Sequence, residues 1–362
     1  MLPPSAPEGF ATPADCAACR SAIRQGSHSF YLASLMLPVA IREPAYAVYA
    51  FCRMADDLID REEGGTQAIA ELSRMLDRVY AGRPGPHYVE RGFADVVARF
   101  AIPRAVPDAL IEGLGWDAAG RRYETLDELK SYAVRVAATV GIMMTLVMRR
   151  RDPDVLARAC DLGVAMQLTN ICRDIGEDAG NGRIYMPLSW LAERGIDADA
   201  WMAAPVYDES IQAVVGGMLS VADTLYTRSI SGVAALPGAC RIGINAARVL
   251  YREIGREIIG GVNPVTTRAI TTRQQKLRLL AEAAGARMTD LSALRDPAVS
   301  AAADLIAAVM AAPAPRVEPD LPQWWNVRAR SERMVELLAA FRARAKARET
   351  AALATPYLSG EG

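Results

Sequence analysis

Two stretches of this chain set carboxylates on segments that otherwise read as buried apolar helix, and that conflict limits the possible folds more than any other feature. In "AFCRMADDLIDREE" (50–63), Asp56, Asp57 and Asp60 follow directly on an apolar run. In "LTNICRDIGEDAGNGRIYMP" (168–187), Asp174, Glu177 and Asp178 interrupt another. Desolvating an ionised carboxylate costs roughly several kcal/mol unless a cation or hydrogen bonds offset it. Both clusters therefore require something positive to meet them.

Their spacing is helical. Residues four apart share a helix face, so Asp56 and Asp60 project together, with Arg53 one turn earlier. At about 100° per residue, Asn170, Arg173, Asp174, Glu177 and Asp178 fall within an arc of about 140° that also includes Gln167. Leu168, Ile171, Cys172 and Ile175 occupy the opposite side. A helix apolar behind and ionic in front suits the wall of an internal cavity. Carboxylate and amide oxygens favour Mg²⁺ or Mn²⁺, and magnesium held by one or two carboxylates completes its shell with water and substrate phosphates. Solvated i,i+4 charge pairs would give the same spacing in either cluster alone.

The rest of the chain is compatible with one all-α domain. Hydrophobic residues make up 51% of 362, enough for a large core, while strictly alternating runs are few and Asn181-Gly182 is the sole hairpin candidate. Segments of helix length lie between proline and glycine breaks, none long or polar enough to be a linker. The expected layout is a loose tail over residues 1–14, a domain over 15–311, and a C-terminal connection with an amphipathic helix over 312–362. "VAATVGIMMTLVM" (136–148) has 13 residues, short of the ~18 to 20 that span a bilayer, and reads as a core helix. The C-terminal stretch with Trp324 and Trp325 carries seven Arg/Lys against two acids through Arg348, which fits either interfacial membrane binding or packing on the core.

Several function classes are disfavoured. Lys+Arg total 41 against 42 Asp+Glu, so the overall charge gives no reason to expect a nucleic-acid partner. Six scattered cysteines form no framework, and no basic, apolar leader precedes them, which fits a reducing, cytoplasmic compartment. The lone CxxC at Cys16 and Cys19 lacks a second ligand pair. No Ser/His/Asp set is apparent, and ionisation of a diphosphate ester needs none.

The blocks "SHSFYLASLMLP", "VYAFCRMADDLID", "GRRYETLDELKSYAVRVAATVG" and "GVAMQLTNICRDIGEDAGNGRIYMP" resemble, in order, those of the trans head-to-head isoprenyl diphosphate synthases. Within that family they are most similar to phytoene synthases of carotenoid-making photosynthetic bacteria. The resemblance implies an all-α isoprenoid-synthase fold whose central cavity takes two geranylgeranyl diphosphates. They would condense through prephytoene diphosphate to 15-cis-phytoene, ending in proton loss with no NADPH. It implies Asp56 and Asp60 as metal ligands on one wall and Asn170, Asp174 and Asp178 on the other. Arg53, Arg173, Arg268, Ser27, Ser29, Gln167 and Tyr251 would bind diphosphate, and Tyr185 would complete the catalytic end. Phe30, Leu37, Val136, Val140 and Leu162 are candidates for the apolar cavity, although core packing explains them equally. His28 stands where the family commonly has lysine. The C-terminal stretch adds the expectation of peripheral contact with the inner face of the membrane, and an apolar product that of handover to a phytoene desaturase. A squalene or dehydrosqualene type synthase using farnesyl diphosphate, and an inactive assembly partner of the same fold, are the alternatives.

Overall fold

The computed structural model describes residues 9–59 and 65–314, which leaves Asp60 and the C-terminal tryptophan-bearing segment outside the described residues. Every regular element among the described residues is helical. In chain order these are α1 (Pro13–Gly26), α2 (His28–Ser34), α3 (Val39–Ile59), α4 (Gly65–Tyr80), α5 (Tyr88–Phe100), α6 (Ala105–Ala118) and α7 (Leu126–Ala133). There follow a π turn (Val134–Ala138), α8 (Thr139–Val147), α9 (Pro153–Gly180), α10 (Leu188–Ala192), α11 (Ala198–Ala203), α12 (Glu209–Ala235), α13 (Gly238–Ile259), α14 (Arg273–Gly285) and α15 (Ala303–Ala311). The described residues up to Pro313 belong to one compact unit.

Local sequence sets the helix ends. Thr12 and Asp15 form a reciprocal capping box at α1, followed by Pro13 in the first turn. Asp152 accepts from the backbone N–H groups of Asp154 and Val155 to start α9, again with proline next. The expected loose tail is fastened at its end, because Phe10 and Ala11 donate backbone N–H groups to Asp95 at 2.7 and 3.0 Å.

Helix α9 is the centre of the fold. It packs along α12 and α13 on one side and against α8 and the π turn on another, burying Leu168, Ile171, Cys172 and Ile175. Its ionic arc points away from that core. The 13-residue apolar stretch belongs to a longer continuous helix, Leu126–Val147, the one run among the described residues long and apolar enough to cross a membrane. Val134, Ala138, Ile142, Met143, Leu146 and Val147 on it are buried in the protein core. Sequence reading missed its first half because that half is amphipathic, with Asp127, Glu128 and Lys130 in its opening turns.

Candidate active site

Asp174 holds the densest charge on the α9 wall. Arg173 reaches its carboxylate with Nε at 2.8 Å and Nη2 at 2.5 Å. Arg268 approaches the same oxygens with Nε at 3.0 Å and Nη2 at 3.2 Å, and its Nη1 lies 3.6 Å from Glu177. Two forked guanidiniums thus share one carboxylate.

Arg268 sits 94 residues away in sequence and arrives on the loop between α13 and α14. Gly261, at φ 110°, turns the chain out of α13, and Asn263 Oδ1 accepts from Val265 N–H at 2.9 Å. The loop then crosses α9 at Gly176. A Cβ there would run into the Val265 carbonyl oxygen and lie 2.7 Å from its Cα, closer than real atoms approach. Gly176 is therefore what lets the loop come low enough to bring Arg268 to Asp174. The sequence offered only a glycine between two acidic residues.

Two further α9 groups are withdrawn from solvent. Asn170 Oδ1 is buried and accepts no hydrogen bond from protein. Burial, with Asp174 and Glu177 nearby, pushes Asp178 up to about 7 despite the opposing influence of Arg183. An orphaned amide oxygen and a desolvated carboxylate on the same arc, either side of Asp174, suit a hard cation. Among the described residues no three His, Cys, Asp or Glu side chains form a metal-binding group. The donor set fits magnesium that takes part of its shell from substrate phosphates, and does not resemble an all-protein cage.

On α3, Arg53 pairs with Asp57 at 2.7 Å and lies 3.7 Å from Asp56, all about half exposed. Arg53 and Asp57 line a groove with Ser21 and Gln25 of α1 and Glu71 of α4. Asp56 acts electrostatically on Cys52 and Tyr49, one and two turns back, and burial raises both groups. Tyr251 of α13 links the walls. It is 7% exposed, stacks on Phe30 with ring centroids 4.8 Å apart, and feels the charges of Arg173 and Asp174 and the proximity of Tyr49. Desolvation pushes its phenol up to about 12, and the Ser27 hydroxyl lies beside it. Ser27 also caps α2, accepting from Phe30 N–H at 3.3 Å.

The sequence that builds these helices matches a known family. The squalene/phytoene synthase family model matches residues 23–278. The chain belongs to that family. A phytoene synthase of Cereibacter sphaeroides is 53% identical over 275 residues, 73% of this chain and 78% of the relative. One of Rhodobacter capsulatus is 49% identical over 276 residues, 75% of this chain and 81% of the relative. Among solved structures, a dehydrosqualene synthase with bound ligand superposes with a TM-score of 0.69 at 32% identity, covering 75% of this chain and 95% of that one.

Within the family frame, other predicted residues find mixed places. Gln167 is partly buried on the α9 arc, Ser29 is partly buried on α2, and His28 is exposed at the first position of α2. Val136, Val140 and Leu162 pack partly buried against the main core, whereas Leu37 lies in a separate cluster with Met148, Val155, Leu236 and Cys240. The structure thus does not group Leu37 with the other apolar candidates.

Tyr185 has company that sequence reading missed. Its hydroxyl donates to Asp117 Oδ1 at 2.8 Å, and the Tyr132 hydroxyl donates to Asp117 Oδ2 at 2.7 Å. The two rings stack at 5.3 Å, with Tyr123 against both. Burial and the Asp117 charge raise both phenols, and Asp117 also acts on Asp178. The clue available beforehand was a tyrosine-rich block just after Asp117; which carboxylate the tyrosines would share depends on how α6 meets α7.

Proposed function

We infer that this chain is a phytoene synthase, joining two geranylgeranyl diphosphates head to head through prephytoene diphosphate and releasing two diphosphates. The observation that carries the site reading is the α9 arc, where Asn170, Asp174 and Asp178 run beside Arg173 and Arg268. Identities of 53% and 49% to phytoene synthases support the product class.

In this reading Asn170, Asp174 and Asp178, together with Asp56 and Asp60, would hold Mg²⁺ or Mn²⁺. The metal supplies charge neutralisation for diphosphate as it leaves. Arg173, Arg268 and Arg53 take diphosphate oxygens through paired N–H donors, for which guanidinium geometry is suited. Ser27, Ser29, Gln167 and Tyr251 add neutral donors at the same polar end. Ionisation leaves an allylic cation, and Phe30, Val136, Val140 and Leu162 keep water from it while the second prenyl chain attacks. A second ionisation, of prephytoene diphosphate, releases the other diphosphate, and proton loss ends the sequence, so no reductant is consumed. Apolar substrate and product fit a cytoplasmic enzyme that works at the inner face of the membrane and hands product to a desaturase.

The test is product identification from purified protein given Mg²⁺ and geranylgeranyl diphosphate. A C40 hydrocarbon formed without NADPH is expected; inert protein that binds neither metal nor diphosphate would favour an assembly role.

A further inference from the structure

Asp174 is engaged by protein donors on both oxygens. A carboxylate offers about four lone-pair sites, and the two forked guanidiniums of Arg173 and Arg268 address both of its oxygens. A divalent cation arriving alone must displace at least one of them. On the α9 arc it finds Asn170 and Asp178 beside Asp174, too few oxygens to complete an octahedral shell. Diphosphate removes both obstacles, because its oxygens give the arginines replacement partners and give the cation the ligands the protein lacks.

The two arginines differ in freedom. Arg173 is fixed on α9 with its side chain 15% exposed, whereas the Arg268 side chain is 55% exposed on a loop. We propose that Arg268 couples the two ligands: it holds Asp174 against metal alone and releases it on turning to diphosphate, so that cation and diphosphate bind together and each binds weakly by itself. Gly176 sets this device, since the loop that carries Arg268 rests on it. The inference rests on reading the site as a metal and diphosphate site, and adds which residue makes the two ligands interdependent.

The experiment uses the full chain, Mn²⁺ binding followed by electron paramagnetic resonance, and calorimetry of inorganic diphosphate at fixed free Mn²⁺. The wild type should bind Mn²⁺ alone weakly. Arg268→Ala should tighten Mn²⁺ binding in the absence of diphosphate at least about fivefold and weaken diphosphate binding by a similar factor, in the usual range of coupling between sites. Gly176→Ala, which keeps every charge and lifts the loop, should tighten Mn²⁺ binding in the same direction. Circular dichroism establishes that each variant is folded. An unchanged affinity for Mn²⁺ alone in Arg268→Ala, or tightening there with none in folded Gly176→Ala, overturns the coupling. A wild type that binds neither Mn²⁺ nor its diphosphate complex overturns the underlying reading of the site and the coupling with it.

Discussion

On the proposed reading, the charge of the α9 wall converges on one carboxylate, Asp174. Asp174→Asn should lower turnover at least about 100-fold, as removal of a charge-stabilising group from an active site does. The fold should survive, with a cost of about 1 kcal/mol for leaving Arg173 less well paired; circular dichroism and steady-state rates separate the two effects. Asp117→Asn makes a different test. Its amide accepts from one phenol and must donate to the other, so either Tyr132 or Tyr185 has to reverse its hydrogen bond, and a drop in kcat larger than any rise in KM is expected. Asp15 concerns stability alone. Arg91 binds it at 2.6 and 2.9 Å, and the guanidinium with Thr12 holds this buried carboxyl well below the usual range. A depressed folded-state pKa contributes stability above about pH 4, which is lost as pH falls below the unfolded value. Melting temperature against pH should therefore fall less steeply in acid for Asp15→Asn than for the wild type, starting from a lower value near neutrality.

Among the elements, α9 carries the proposed site and depends on close approach. A Cβ at Gly163 would meet the Ala138 Cα at 2.6 Å and its N at 2.8 Å, so α9 and the π turn touch backbone to backbone. Gly163→Ala should destabilise by about 1–3 kcal/mol through overpacking, and should also slow turnover, since Asn170 lies two turns further along. Gly180, at the end of the same helix, is open: a Cβ there would meet nothing within 4 Å. At that position alanine should be neutral or stabilising by up to about 1 kcal/mol; denaturant midpoints of the two variants provide the comparison. The ionic arc of α9 was legible in the sequence because helical periodicity alone decides which residues share a face. Gly176 and Gly163 were not, since their importance comes from a loop and a π turn distant in the chain. Asp117 was missed for the same reason, and Arg268 was reached only through resemblance.

For the whole molecule, the all-helical class followed from composition and breaks, while the size of the helix at Leu126–Val147 required the structure. Chain length of the substrate depends on how far the apolar cavity extends, a property of side-chain facing across several helices and not of any motif. The fold alone does not fix it: a solved dehydrosqualene synthase superposes with a TM-score of 0.69. The deciding measurement is incubation of purified protein with Mg²⁺ and either geranylgeranyl or farnesyl diphosphate, with and without NADPH and with excess EDTA, followed by mass analysis of the hydrocarbon. A C40 triene-centred product from the C20 substrate, formed without NADPH and abolished by EDTA, is the expected result. Preferential formation of a C30 product, strict dependence on NADPH, or full activity in EDTA would contradict it.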